Sequence, residues 1–241
     1  MSFMASPFKS FETNITSQWG EDGVIREIFN RIGTTNRYFI EFGAWDGKYL
    51  SNTWTLWNRE GWSGLLIEGE ADREAALRKS ITAFPGVKTK CAFVRAEGEN
   101  ALDNLVQEAG GPEAPDLLSI DIDGDEYHVL NHLSWLKPRV VVAEFNATIP
   151  PHIHFVQQPG AYMGASALAL TALMNEKGYE LVHITSTNLF FVQTTDFQKL
   201  NVPVASVKDL FVGDQLVHVM SSYDGKLYTD NTFPYFNATP D

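Results

Sequence analysis

The sequence predicts a single α/β domain, Rossmann-like in plan, with a mostly parallel sheet flanked by helices. Three observations predict it. Short apolar runs alternate with amphipathic stretches, the pattern of strands joined by crossover helices. Two of the runs, Asp116 to Ile122 and Val140 to Phe145, are almost continuously apolar, as central strands buried on both faces require. Tyr179 to Ile184 and Leu189 to Gln193 then read as a closing antiparallel pair.

The remaining elements follow in order. A first helix is expected from Ser17 to Ile32, because Val24, Ile25, Ile28, Phe29 and Ile32 form one stripe at helical spacing. Ser17 can cap it, Glu21 and Asp22 suit the positive end of its dipole, and Gly33 ends it. Strands are expected at Tyr38 to Phe42, Gly64 to Glu68 and Val87 to Val94, with a helix from Ala71 to Ser80. A helix around Asn100 to Ala109 turns Leu102, Leu105 and Val106 inward, and Gly110, Gly111 and Pro112 break the chain after it. Tyr127, Leu130 and Leu133 mark a helix between the two central strands, and Ala165 to Lys177 is another, stopped by Gly178. Past Pro203 the periodicity weakens. Tyr223, Tyr228, Phe233, Tyr235 and Phe236 make that tail too aromatic for a disordered end, so it is expected to pack on the domain or on a second subunit. The reading divides residues 1–241 into an N-terminal helical segment (1–36), a core (37–195) and the aromatic tail (196–241).

Composition narrows the function. With 18 Lys+Arg against 30 Asp+Glu, the net charge is −12, which would repel a phosphate backbone, so nucleic acid is not an expected partner. Hydrophobic residues at 44% and charged ones at 20% are those of a folded globular chain. The one cysteine, Cys91, excludes an internal disulfide and points to a reducing compartment. Met1 to Ser10 carries no apolar signal region, and no stretch approaches the roughly 18–20 apolar residues of a membrane span. A cytoplasmic domain is expected, and the glycosylation tripeptides at Asn14, Asn146 and Asn237 are accordingly discounted.

In an open parallel sheet, ligands bind outside the carboxyl ends of the strands. The loop after the first strand reads Glu41-Phe-Gly-Ala-Trp-Asp-Gly47. Gly43 and Gly47 allow a sharp turn, but Trp45 stands where a dinucleotide fingerprint needs its second glycine, and Asp46 would repel a diphosphate. A ligand with a ribose and a positive charge but no phosphate fits better, and S-adenosylmethionine is such a molecule. Glu68 ends the second strand, where an acid roughly 20 residues past a glycine loop can accept both ribose hydroxyls. Phe93 could stack on an adenine or belong to the core.

These residues resemble the FkbM-type group of class I S-adenosylmethionine-dependent methyltransferases. Three segments carry the resemblance: Glu41 to Gly47 with Ser51-Asn52-Thr53 and Gly61 to Glu68; the Ser17-Gln18-Trp19-Gly20-Glu21-Asp22 opening; and Ile120-Asp121-Ile-Asp123-Gly124-Asp125-Glu126. Phe42 replaces a usual valine or isoleucine, and Asp123 replaces a usual glutamate. The resemblance implies a seven-stranded sheet with the last strand antiparallel. It also implies cofactor contacts at Glu41, Gly43, Asp46, Asn52 and Glu68, and O-methylation of sugars or natural products; Ala44, Phe93 and Asp121 are further candidate cofactor contacts.

Asp121, Asp123 and Asp125 crowd the end of one central strand, and Glu144 and Asn146 end its neighbour. An all-oxygen set at Asp121, Asp123, Glu144 and Asn146 suits Mg²⁺ or Ca²⁺ rather than zinc, and a cation would lower an alcohol's pKa for attack on the methyl group. The arrangement is similar to that of metal-dependent sugar methyltransferases, with Glu144-Phe145-Asn146 in place of their second acidic pair. Two other readings stand beside it: Asp123 and Asp125 as helix caps, and Asp121 as general base, alone or with a metal. His152 and His154 read as surface loop, His128 and His132 as a polar helix face, His183 as a further base candidate, and Cys91 as a buried hydrophobe. The expected activity is S-adenosylmethionine-dependent O-methylation of a small hydroxylated acceptor, whose pocket would be built from Pro150 to Gly164, the N-terminal segment and the tail. A non-catalytic adenosine-binding module and a dehydrogenase on the same fold are the rivals.

Overall fold

The computed structural model describes residues 6–216 and 219–229 of the chain. A single 3₁₀ turn, Lys9–Phe11, precedes α1 (Glu21–Ile32), β1 (Tyr38–Phe42), α2 (Trp54–Arg59), β2 (Ser63–Glu68), α3 (Ala71–Ser80) and β3 (Val87–Cys91). Then come α4 (Leu102–Glu108), β4 (Leu117–Ile120), α5 (Glu126–His132), β5 (Val140–Glu144), α6 (Ala167–Glu176), β6 (Tyr179–Ile184) and β7 (Asn188–Gln193). Two short helices, α7 (Thr194–Leu200) and α8 (Val207–Leu210), and a hairpin of β8 (Val219–Ser221) and β9 (Leu227–Thr229) close the described chain. No helix among the described residues is long and apolar enough to cross a membrane.

The main sheet has seven strands in the order β3-β2-β1-β4-β5-β7-β6. β1 to β5 are parallel, and β7 runs antiparallel between β5 and β6. This is the seven-stranded sheet with its last strand antiparallel that the resemblance implies. Side chains alternate across it and divide the core in two. Ile40, Phe42, Leu118, Ile120, Val141 and Phe191 face α4, α5, α6 and α8. Phe39, Leu66, Leu117, Val142, Phe190 and Val192 face α1, α2, α3 and α7. The strand order reverses between β1 and β4, so the crevice for a ligand opens there.

α1 begins four residues later than its periodicity suggests. Gly20, at φ 102°, forms its boundary, and Asp22 Oδ2 accepts the N–H groups of Ile15, Thr16 and Ser17. Ser17 still caps from the preceding turn, its hydroxyl accepting the Asp22 N–H at 3.1 Å. Gly33 ends the helix as expected, at φ 70°. β3 stops at Cys91 rather than Val94, and Cys91 is exposed, not buried, because β3 is the sheet edge. Lys88 and Lys90 on the same strand discourage edge-to-edge pairing. The sequence pattern does not reveal α7, which lies before Pro203 and packs on α1, or α8, which lies past it and packs on α6 and β6. Of the aromatic tail, Tyr223 is fully exposed. The Tyr228 side chain and Phe233, Tyr235 and Phe236 lie outside the described residues.

Candidate functional site

A cavity of about 540 Å³ opens along the carboxyl ends of β1, β2, β4 and β5 and the loop after β3. Its floor at β1 is a close backbone packing. Gly43 has φ 79°, and a Cβ there would stand 1.7 Å from the Asp121 carbonyl oxygen. Only glycine lets the β1 loop and the turn after β4 approach this closely. Trp45 also takes a left-handed conformation, at φ 49°, and its ring is covered by the Arg73 guanidinium at 3.7 Å.

Toward the sheet edge, Glu68 is fixed by two backbone donors. Its Oε2 accepts the Trp45 N–H at 2.8 Å and its Oε1 the Glu70 N–H at 2.9 Å, leaving the second lone pairs of the buried carboxylate for a ligand in the cavity. Phe93 is 54% exposed and lines the cavity, which excludes the core reading of that residue. Its ring lies over Gly69, where a Cβ would meet it at 2.4 Å. A flat ring above a glycine and beside a strand-end carboxylate is a cradle for a nucleoside.

The Ser51-Asn52-Thr53 step explains Glu41. Glu41 accepts Ser51 Oγ–H at 2.8 Å, Thr53 Oγ1–H at 2.6 Å and the Asn52 N–H at 2.8 Å, so its carboxyl anchors the chain that enters α2. Burial pushes that carboxyl up to about 7 against the pull of these bonds. Asn52 lines the cavity while donating to Ser119 Oγ at 3.1 Å. Ala44 is buried among the α1-side core residues, and Asp46 Oδ1 accepts the N–H groups of Lys48 and Tyr49; both lie behind the cavity wall.

At the other end Asp121, Asp123 and Glu144 bring carboxylate oxygens within 4.8 Å of one another. Asp121 and Glu144 are hydrogen-bonded to each other. Burial raises the Asp121 carboxyl to about 6, with Asp123 and Glu21 adding to the rise and the Glu144 bond opposing it. Burial and the neighbouring acids raise Glu144 well above the carboxylate range. The pair therefore shares a proton, since two like charges in contact cannot both ionise freely. Glu126 sets the turn that carries them, accepting the N–H groups of Ile122 at 2.9 Å and Gly124 at 3.1 Å. Burial raises it to about 7.

The cap readings do not hold. Asp125 occupies the N-cap of α5 without a side-chain capping bond, and its Oδ1 instead accepts the Gly160 N–H at 2.7 Å. Asp123, whose backbone is left-handed at φ 57°, makes no side-chain bond to the start of α5 among the described residues. Asn146 does not join the carboxylates, because its Oδ1 accepts the Thr148 N–H and hydroxyl at 3.1 and 2.6 Å and closes its own turn. His183 is no base for this cavity: it is 1% exposed and bonded to Ser6 Oγ and Glu12 Oε1 beneath the N-terminal segment. His152 and His154 are exposed, His128 meets the Gln157 carbonyl, and His132 meets Glu97.

Two stretches expected to build an acceptor pocket do reach the cavity. Gly160, Ala161 and Tyr162 line it from the loop after β5, and Gln18 lines it from the N-terminal segment. The sequence reading singled out neither side chain. Tyr162 was hidden in a loop without periodicity, and Gln18 in a motif whose neighbours serve the fold.

The raised carboxyls have a consequence for stability. Folded, Glu41 and Glu126 keep their protons to about pH 7; unfolded, they release them near 4.5, the ordinary value for a glutamate. Between these limits the folded chain binds more protons, so unfolding free energy falls as pH rises. Asp103 and Asp116, whose carboxyls are lowered by hydrogen bonds, weaken the fold only on acidification below the ordinary carboxylate range. Melting is therefore expected at a higher temperature at pH 5.5 than at pH 8, and Glu41→Gln should flatten the difference. A scan in both buffers checks it; equal or reversed midpoints would remove the argument.

Residues 96–181 match the methyltransferase FkbM domain family. That stretch holds the Asp-rich turn and Glu144. No curated protein matches the sequence. Among solved structures, the CMeT domain of the citrinin polyketide synthase is 13% identical with a TM-score of 0.49, covering 71% of this chain and 50% of its own. The N-terminal domain of EvdMO1 with SAH bound is 13% identical at a TM-score of 0.45, covering 72% and 80%. Magnesium protoporphyrin IX methyltransferase from Synechocystis PCC 6803, with bound SAM, is 10% identical at 0.45, covering 72% and 77%. This chain thus spans half the length of the first of these.

Proposed function

We propose that this chain, whose residues 96–181 match the methyltransferase FkbM domain family, is an S-adenosylmethionine-dependent methyltransferase that methylates a hydroxyl group of a small uncharged acceptor such as a sugar or natural product. The observation that carries the proposal is continuity. One cavity runs from Phe93 and Glu68, past the Gly43–Asp121 contact, to the proton-sharing pair Asp121–Glu144. Nucleoside cradle and proton acceptor therefore face the same space.

When bound, the cofactor supplies an electrophilic methyl group on a sulfonium. The residues of the chain do the rest. Phe93 would cover the adenine, Glu68 would accept the ribose hydroxyls, and Glu41, Gly43 and Asn52 would line the wall between them and Asp121. Asp121 takes the acceptor's proton as its oxygen attacks, a role that a carboxyl near 6 fills at neutral pH. Seven of the lining residues are acids and two are arginines, so an acceptor bearing phosphate or carboxylate would be repelled. The Asp121, Asp123 and Glu144 oxygens also suit Mg²⁺, which would take the place of the shared proton and lower the acceptor's pKa. Cys91 is the sole cysteine and is exposed, which suits action in the reducing cytoplasm.

Calorimetric titration with S-adenosylhomocysteine, with and without Mg²⁺, tests the reading. The wild-type chain is expected to bind, and Glu68→Ala to weaken binding by about tenfold or more, the worth of hydrogen bonds to a charged group. Binding of NAD in preference to S-adenosylhomocysteine would overturn it in favour of a dehydrogenase. A separate Mg²⁺ heat that Asp121→Ala removes would support the metal.

A further inference from the structure

The opening motif Ser17–Asp22 is largely occupied with folding. Ser17 and Asp22 close the turn before α1. Asp22 also accepts the Thr55 hydroxyl at 3.1 Å. Glu21, fully buried, takes the Thr185 hydroxyl and the Asn188 amide on one oxygen and the Trp19 N–H on the other. Gly20 leaves room for Glu12, whose Cβ would stand 2.5 Å from any Cβ at this position. Gln18 has no such task. Its side chain is exposed, lines the cavity, and makes no hydrogen bond among the described residues.

Its position is nevertheless fixed. The Gln18 carbonyl accepts from Asn14 Nδ2 at 2.9 Å, and Thr16 Oγ1 donates to the Ser51 carbonyl at 3.1 Å. These bonds seat the segment against the loop after β1. With adenine at Phe93 and ribose at Glu68, the rest of the cofactor must extend away from the β3 edge, toward the end of β1 where Gln18 stands. A carboxylate arriving there needs a donor. Arg95 follows β3, on the nucleoside side, and Arg73 is stacked on Trp45.

We propose that Gln18 holds the amino-acid end of the cofactor, its side-chain amide donating to the carboxylate and accepting from the ammonium. The proposal rests on the S-adenosylmethionine reading above. Two probes separate it from that reading: S-adenosylhomocysteine, and 5′-methylthioadenosine, which keeps the nucleoside and lacks the amino acid. The full chain is titrated with each. Gln18→Ala is expected to weaken S-adenosylhomocysteine about tenfold, one hydrogen bond to a charged group, and to leave 5′-methylthioadenosine within about twofold. Gln18→Glu should weaken the first further, by repelling its carboxylate, and spare the second. Unchanged S-adenosylhomocysteine affinity in Gln18→Ala, or equal loss of both probes, would overturn the assignment. Failure of the wild-type chain to bind S-adenosylhomocysteine would instead remove the cofactor reading itself. Retained 5′-methylthioadenosine binding certifies that each variant is folded.

Discussion

Asp121→Asn is expected to lower methyl transfer by about 10²–10⁴-fold, the range supplied by a positioned general base. The substitution keeps the size of the side chain and a bond to Glu144, but removes the oxygen that would accept the acceptor's proton. S-adenosylhomocysteine affinity should change far less, because the nucleoside cradle at Glu68 and Phe93 is untouched. In the wild-type chain, the rate should rise with pH through about 6, where the Asp121 carboxyl ionises, and then level off. The variant should lose that rise. Glu144→Gln should cost less, since it removes the partner that shares the proton and leaves the acceptor of it. Asn146→Ala should leave the rate roughly unchanged, its amide being spent on Thr148. The measurement is transfer of a labelled methyl group to an acceptor found by screening neutral glycosides and polyols. A wild-type rate in Asp121→Asn would sink the assignment. Chelation distinguishes the two ways the carboxylates can act: a base working alone is indifferent to EDTA, whereas a metal-assisted site loses activity with it.

The parts of this molecule that were legible in its sequence are those where periodicity or a local motif is decisive. β1 and α3 coincide with the stretches that their patterns delimit, and the closing antiparallel pair lies where the apolar runs put it. Short elements escaped for a physical reason. α7 and α8 offer two turns or fewer, too little for a stripe to emerge, and their stability comes from packing on α1 and α6. At the site, Glu68, Asp121 and Glu144 were legible because a parallel sheet carries strand-end residues to one edge. Asn146 shows the limit of that rule. Two residues past the strand, the chain has already turned, and the side chain serves the turn. His183 failed differently: alternation gave its face of the sheet, but not that the N-terminal segment covers that face with Phe8 and Glu12. Cys91 was misplaced because strand order, and hence which strand is the edge, follows from long-range pairing that no local pattern records. Gln18 and Tyr162 needed the same knowledge, since only the folded chain brings residues 18 and 162 to one cavity wall.

The opposite edge of the sheet carries the second large effect. Arg139→Ala is expected to destabilise the fold by about 3–5 kcal/mol, the cost of stranding buried charges when their partner is removed. Arg139 lies just before β5, with its side chain 8% exposed. Its Nη1 reaches Asp116 Oδ1 at 2.7 Å, and its Nε and Nη2 reach Asp196 Oδ2 at 2.8 and 2.7 Å. The same guanidinium donates to the Gly33 carbonyl at 2.9 Å, where α1 ends. Asp116, with no exposed surface, gathers the N–H groups of Thr35, Asn36 and Arg37 as well. One side chain thus joins the end of α1, the turn into β1, the start of β4 and the helix α7. These hydrogen bonds hold the Asp116 carboxyl below its ordinary range, with Arg139 the largest contributor, against its burial. Arg139→Lys keeps one charge but cannot span two carboxylates and the carbonyl together, so it should fall between wild type and alanine. For a chain of this size the alanine variant should melt roughly 6–20 °C lower, provided unfolding is reversible. The cluster sits at the amino ends of β4 and β5, while the cavity opens at their carboxyl ends. The folded fraction of Arg139→Ala should therefore bind S-adenosylhomocysteine with wild-type affinity below its melting range. A variant that melts normally would show that the network is dispensable. One that stays folded and loses the ligand would show instead that the two edges of the sheet are coupled.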